Sequence, residues 1–218
     1  MRPELLQQWV TVAAAAMLLI MFALLAQRHM RALLRWFALQ GVVLALTSAL
    51  VAFVAEVPEL YISALLALLL KGLLLPWLLW RMVVRLGVHR EVEPLVNVSV
   101  TLLIGAALVL FAFYASLPIE KLSQLVTRNI IAIALACVLL SMLMMITRRK
   151  AITQVVAFLS LENALFFTAT AATNGMPLVV EIGVAFDVLI AALIFGLFFF
   201  QIRKTFDSLD LEHLEEKQ

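Results

Sequence analysis

Residues Ala151–Ile202 read AITQVVAFLSLENALFFTATAATNGMPLVVEIGVAFDVLIAALIFGLFFFQI. Two apolar runs meet at the connector Thr173-Asn174-Gly175-Met176 and Pro177. Each run holds one carboxylate near its middle, Glu162 in the first and Asp187 in the second. A helix rises about 1.5 Å per residue, so runs of this length cross a hydrocarbon core of about 30 Å. An acid at that depth is costly unless it is protonated, paired or hydrated, which makes it a functional-site hypothesis by default.

Composition extends this reading to the whole chain. Hydrophobic residues make up 65%, charged residues 14%, and the mean hydropathy is +1.11. Those values exclude an ordinary soluble domain and indicate an all-α integral membrane protein. A net charge of +2, with its basic residues in short clusters between apolar runs, gives no reason to expect nucleic acid. Cys137 is the only cysteine, so a disulfide within the chain and a thiolate-held metal cluster are both excluded. His29, His89 and His213 fall outside the apolar runs, and no pair of them can ligate a haem inside the membrane. No metal site is expected in this chain. The first apolar run lacks a convincing small-residue cleavage site, and no cleavable signal peptide is expected.

A window of ~19 residues finds seven spans. They are Leu5–Ala26, Ala32–Ala55, Tyr61–Trp80, Leu95–Leu117, Ile130–Thr147, Ala151–Ala172 and Leu178–Ile202. In lipid the backbone must satisfy its own polar groups, so each span is a helix. Basic residues cluster at alternate connections: Arg28, Arg31 and Arg35; Arg81, Arg85 and Arg90; Arg148, Arg149 and Lys150; Arg203 and Lys204. The connections between them carry only Lys121 and Arg128. Positive charge marks the cytoplasmic side, so the N-terminus is expected outside and the C-terminus inside. The acidic tail at 206–218 is a solvated end or a docking segment for a cytoplasmic partner.

Lys71, in LLALLLKGLLLPWLLW, is the only basic residue deep in a span. Pro76 follows five residues later, cannot donate to the Gly72 carbonyl, and predicts a kink with a free acceptor beside the lysine. An ammonium, a carbonyl and a kink together predict a polar pocket. The plainer reading is a structural lysine that pairs with an acid to fix helix packing. Glu162 and Asp187 present the same choice. Burial favours a neutral acid, a neighbouring ammonium favours the ionised one, and competition between them allows proton exchange. The plainer reading is a hydrogen-bonded lock between helices. Asp187 lies four residues from Gly183 and from Ala191, a narrow face that admits another helix. Asn163 is expected to point elsewhere around its helix and to hold water. Glu181, within a turn of Pro177, reads as an acid placed favourably near a helix N-terminus.

The segments RRKAITQVVAFLSLENALF and VEIGVAFDVLIAALIFGLFFFQIRK resemble the last two helices of the small K-type membrane subunit of respiratory complex I. They also resemble the C-type subunit of multisubunit sodium/proton antiporters. Glu162 matches the central glutamate of that family, and Asp187 matches its second acid, where the complex I family usually has glutamate. The whole chain, through KGLLLPW, the LEN tripeptide and VEIGVAFD, is similar to hydrogenase-4 component E of group 4 hydrogenase and formate hydrogenlyase complexes. The resemblance implies a four-helix extension at 1–127 and a three-helix K-type unit at 128–205. It also implies a non-catalytic subunit of a complex-I-like assembly in a bacterial or archaeal cytoplasmic membrane. Its partners would be antiporter-like membrane subunits and a peripheral redox arm. That arm, not this chain, would hold the iron–sulfur clusters and a nickel–iron centre.

The expected role is one segment of a proton (or sodium) path through Glu162, Asp187 and Lys71. Gly72, Pro76, Asn163 and Glu181 support it. The rival readings are a cation/proton antiporter subunit without a redox partner, a stand-alone proton-coupled transporter, and a structural spacer. The absence of an evident internal duplication speaks weakly against the transporter.

Overall fold

The computed structural model describes residues 3–55, 58–85, 95–117 and 128–173, with Gly183, Leu189, Ile190 and Leu193 beyond them. Among the described residues there are helices and no strands. The chain divides into two compact units, Met1–Val184 and Ala185–Gln218, and everything below concerns the first.

Its elements in order are α1 (Pro3–Ala26), α2 (Met30–Ala55) and α3 (Glu59–Ala67). A π-helical stretch, Leu68–Leu74, follows and continues without a break into α4 (Leu75–Arg85). Then come α5 (Val98–Ser116), α6 (Arg128–Thr147) and α7 (Ala151–Thr173). Among the described residues six helices are long and apolar enough to cross a membrane, α3 and α4 counting as one through the π stretch. They coincide with the first six spans expected from hydropathy, and the protein is a multi-pass membrane protein. The expected seventh span, Leu178–Ile202, lies outside the described residues apart from the four named above.

α1, α2, α6 and α7 form the interior, with α6 packed on α7, α5 and α1, and α2 packed on α1, α7 and the third span. α5 sits at the margin, and its Leu103, Leu110, Phe111 and Tyr114 face outward, as apolar side chains in contact with lipid do. Several hydroxyls in the spans bond to their own helix. Thr47, Ser141 and Thr168 each donate to the carbonyl four residues earlier, at 2.8, 2.8 and 2.7 Å.

Two contacts fix the end of α6. The Leu95 amide donates to the Thr147 carbonyl at 2.8 Å and ties the approach to α5 against it. Arg148 is 1% exposed, and its Nη2 donates to the Leu25 carbonyl at 2.6 Å. Leu25 lies in the last turn of α1, where carbonyls lack helical partners and the dipole favours a cation. Arg148, in the sequence one of three loop charges, is in the structure the cap of α1. Burial pulls its guanidinium below the ordinary arginine value.

Candidate functional site

Lys71 and Glu162 meet inside the bundle. The Lys71 ammonium donates to both carboxylate oxygens, at 2.6 Å to Oε1 and 2.5 Å to Oε2. The lysine side chain is 1% exposed and the glutamate 11%. The pair therefore links the third span to α7 in a region closed to solvent. The ammonium also lies 4.9 Å from the centroid of the Phe166 ring, one turn along α7 from Glu162, close enough for a cation–π contribution.

Local backbone structure explains how a lysine in this span reaches its partner. The irregularity expected beside Lys71 from Pro76 takes the form of a widened turn ahead of the proline. Residues Leu68–Leu74 form a π-helix, and the Leu75 amide bonds to the Leu70 carbonyl, five residues back. Extra residues per turn in π geometry shift the side chains that follow, and such turns recur at functional sites. Pro76 sits buried directly after the π stretch and has no amide with which to continue the ladder.

The helix facing this stretch is α2. A Cβ added at Gly41 would lie 2.6 Å from the Lys71 carbonyl carbon and 2.8 Å from the Gly72 amide nitrogen. Only glycine permits that approach, so Gly41 brings α2 onto the backbone at the lysine. Gly183 plays a comparable part: a Cβ there would meet the Phe166 ring at 2.6 Å and lie 3.9 Å from Glu162 Oε1.

Beside Gly41, a second set of polar groups crosses the bundle. Asn163 Nδ2 donates to Gln40 Oε1 at 3.3 Å, and Gln40 Nε2 donates to the Met21 sulfur at 3.2 Å. The Ser141 hydroxyl approaches the same sulfur at 3.8 Å while donating to the Cys137 carbonyl. α7, α2, α1 and α6 are thus joined through four buried side chains. On α7, Ser160 Oγ, Asn163 Oδ1 and Thr170 Oγ1 are buried with no hydrogen-bond partner among the described residues.

The structure therefore brings together Lys71, Glu162, Gly72 and Pro76 in one region. It turns Asn163 away from Glu162, as its position beside it on the helix requires, onto Gln40. Asp187 and Glu181 lie outside the described residues. Gln40 and Gly41 are site residues that the sequence reading passes over, though a glutamine beside a glycine in the middle of ALQGVVLAL is a visible signal. Nothing in the sequence points to Met21 or Ser141. Among the described residues, no group of three or more His, Cys, Asp or Glu side chains is placed to hold a metal ion.

Comparison with known proteins adds one relationship. No protein-family model matches the chain, and no solved structure matches it. It is 37% identical over 208 residues to "Uncharacterized protein Rv0085" of Mycobacterium tuberculosis (strain ATCC 25618 / H37Rv), a match covering 95% of this chain and 94% of that protein. With identity of that degree along nearly the full length of both, the chain belongs to the family of Rv0085.

Proposed function

We propose that this protein is a non-catalytic membrane subunit of a complex-I-like redox assembly of the hydrogenase-4 or formate hydrogenlyase type, and that Lys71 and Glu162 form one protonatable station of its ion path. The observation that carries the proposal is the buried, two-pronged ion pair set at a π-helical turn. A buried pair of this kind contributes little net stability, because desolvation consumes most of the attraction. It does confer a coupling. A proton that reaches Glu162 neutralises the carboxylate and leaves the Lys71 ammonium without its counter-charge. Loading one group then favours release or displacement of the proton at the other. Gln40, Asn163 and Ser160 supply further hydrogen-bonding groups in the same interior, and Asp187 is the next carboxylate of the path. Redox events in a peripheral arm would bias which acid is protonated, by favouring one of two charge arrangements. The setting is a bacterial or archaeal cytoplasmic membrane, with the basic connections inside.

The likeness of KGLLLPW, LEN and VEIGVAFD to hydrogenase-4 component E supports the assembly. The test has two parts. Purification in mild detergent should co-isolate iron–sulfur proteins; isolation alone would select a transporter. In vesicles holding the intact complex, Glu162→Gln and Asp187→Asn should lower proton uptake per redox turnover several-fold while the complex stays assembled. Glu162→Asp and Asp187→Glu, which keep a carboxyl, should be milder. Unchanged proton-to-electron stoichiometry in both amide variants would overturn the proton path and leave the structural lock.

A further inference from the structure

A second site lies where the start of α2 packs against α4. A cavity of about 360 Å³ is lined by Arg31, Leu34, Arg35 and Ala38 from α2 and by Pro76 and Trp80 from α4. Arg31 and Arg35 are one helical turn apart, so their side chains share a face. Both are exposed. The Arg31 guanidinium lies 5.0 Å from the Trp80 ring centroid, which holds it at the mouth of the cavity. Alongside, Arg81 lies 5.3 Å from the Trp77 ring centroid, so a second cation–tryptophan pair marks the same end of α4.

The lining is graded along the helix axes. At the outer end are two guanidinium groups, within two turns of the first residue of α2, Met30. Leu34, Ala38 and Pro76 continue inward, with no acidic side chain in the lining. Ala38 lies about 12 Å along the axis from Met30 at 1.5 Å per residue, so the cavity runs from headgroup depth into the acyl region. Tryptophan and arginine at this level are the side chains that anchor at a membrane interface. Basic pockets between spans bind anionic headgroups. A free phosphate would satisfy the arginines and leave the apolar floor unused, whereas a phospholipid fills both parts.

We infer that this cavity binds one anionic phospholipid. Its phosphate is forked by Arg31 and Arg35, its glycerol and first acyl carbons lie against Leu34, Ala38 and Pro76, and Trp80 forms the rim. The inference does not depend on the ion-path reading.

The test is native mass spectrometry of the full chain released from nanodiscs of phosphatidylcholine containing a minor share of phosphatidylglycerol. One phosphatidylglycerol should stay bound in preference to phosphatidylcholine. Arg31→Ala/Arg35→Ala should lower its retention roughly tenfold or more, the loss expected for charge-assisted hydrogen bonds to a phosphate. Both arginines are exposed, so this variant should fold, which labelling of the buried Cys137 thiol would check. Arg149→Ala/Lys150→Ala, at a different connection, should retain the lipid. Equal retention in the Arg31/Arg35 variant, or equal retention of phosphatidylcholine, would overturn the proposal. Displacement of the lipid by millimolar inorganic phosphate would also overturn it, in favour of a free-anion site.

Discussion

Gly41→Ala is the sharpest structural test. The new methyl would lie 2.6 Å from the Lys71 carbonyl carbon, 2.7 Å from its oxygen and 2.8 Å from the Gly72 nitrogen. Ordinary contact begins at 3.4 Å, so α2 and the π stretch must part by about 0.8 Å (3.4 less 2.6). Both obstructing groups are backbone, and no side chain can rotate aside. Overpacking of this kind costs about 2–3 kcal/mol. Alanine's better helix propensity returns about 1 kcal/mol. A net loss of about 1–2 kcal/mol lowers the unfolding midpoint by roughly 2–8 °C for a chain of this size. The chain supplies its own probe, because Cys137 is the sole cysteine and is 2% exposed. A fluorogenic maleimide should therefore react with it only on unfolding. Gly105→Ala is the control. Its Cβ would meet Leu140 Cδ2 at 3.0 Å, and Leu25 Cδ2 and the Phe22 ring at 3.3 Å, all ends of side chains that can give way. That variant should melt close to the wild type. A Gly41→Ala protein that labels at the wild-type midpoint, or a Gly105→Ala protein that falls further, would refute the reasoning.

Two more expectations follow from the fold and the pair. Lys71→Met and Glu162→Met should each destabilise by about 3–5 kcal/mol, because each strands a buried charge, while the double variant should recover most of that loss. If the same thiol assay finds the two losses simply additive, the contact is not energetically coupled. Reporter fusions after Phe206 and at Lys150 should report the cytoplasm, and one at the N-terminus the outside. A cytoplasmic N-terminus would overturn the count of seven spans.

The spans were legible because lipid leaves a chain few choices: an apolar run of sufficient length becomes a helix, and six of the expected runs are helices in the structure. Lys71 and Glu162 were legible for the same reason, since charge at that depth needs a partner and the third span and α7 each supply one. Which charges meet is a matter of packing. So is the form of the irregular turn, since a proline predicts a free carbonyl at Gly72 and a kink, whereas here the ladder widens over Leu68–Leu74. The Asn163–Gln40–Met21–Ser141 chain was hidden because it joins four helices, and one partner, a methionine sulfur, reads in the sequence as ordinary apolar filling. Arg148 reads as a marker of topology, and its second use on the Leu25 carbonyl exists only once α1 and α6 are side by side.

The π stretch at Leu68–Leu74 also has a mechanical meaning. A regular helix has a single ladder of hydrogen bonds, and rotating one residue within it breaks bonds without replacement. A widened turn can move along its helix by exchanging partners one residue at a time, so the number of bonds is conserved. A one-residue slip past Lys71 would swing that side chain by about 100° around the helix axis, the angle between successive residues at 3.6 per turn. That is enough to carry the ammonium off Glu162 and towards another face of the span. Such a slip would make the third span a latch as well as a support, moving against α2 where Gly41 lets the two backbones meet.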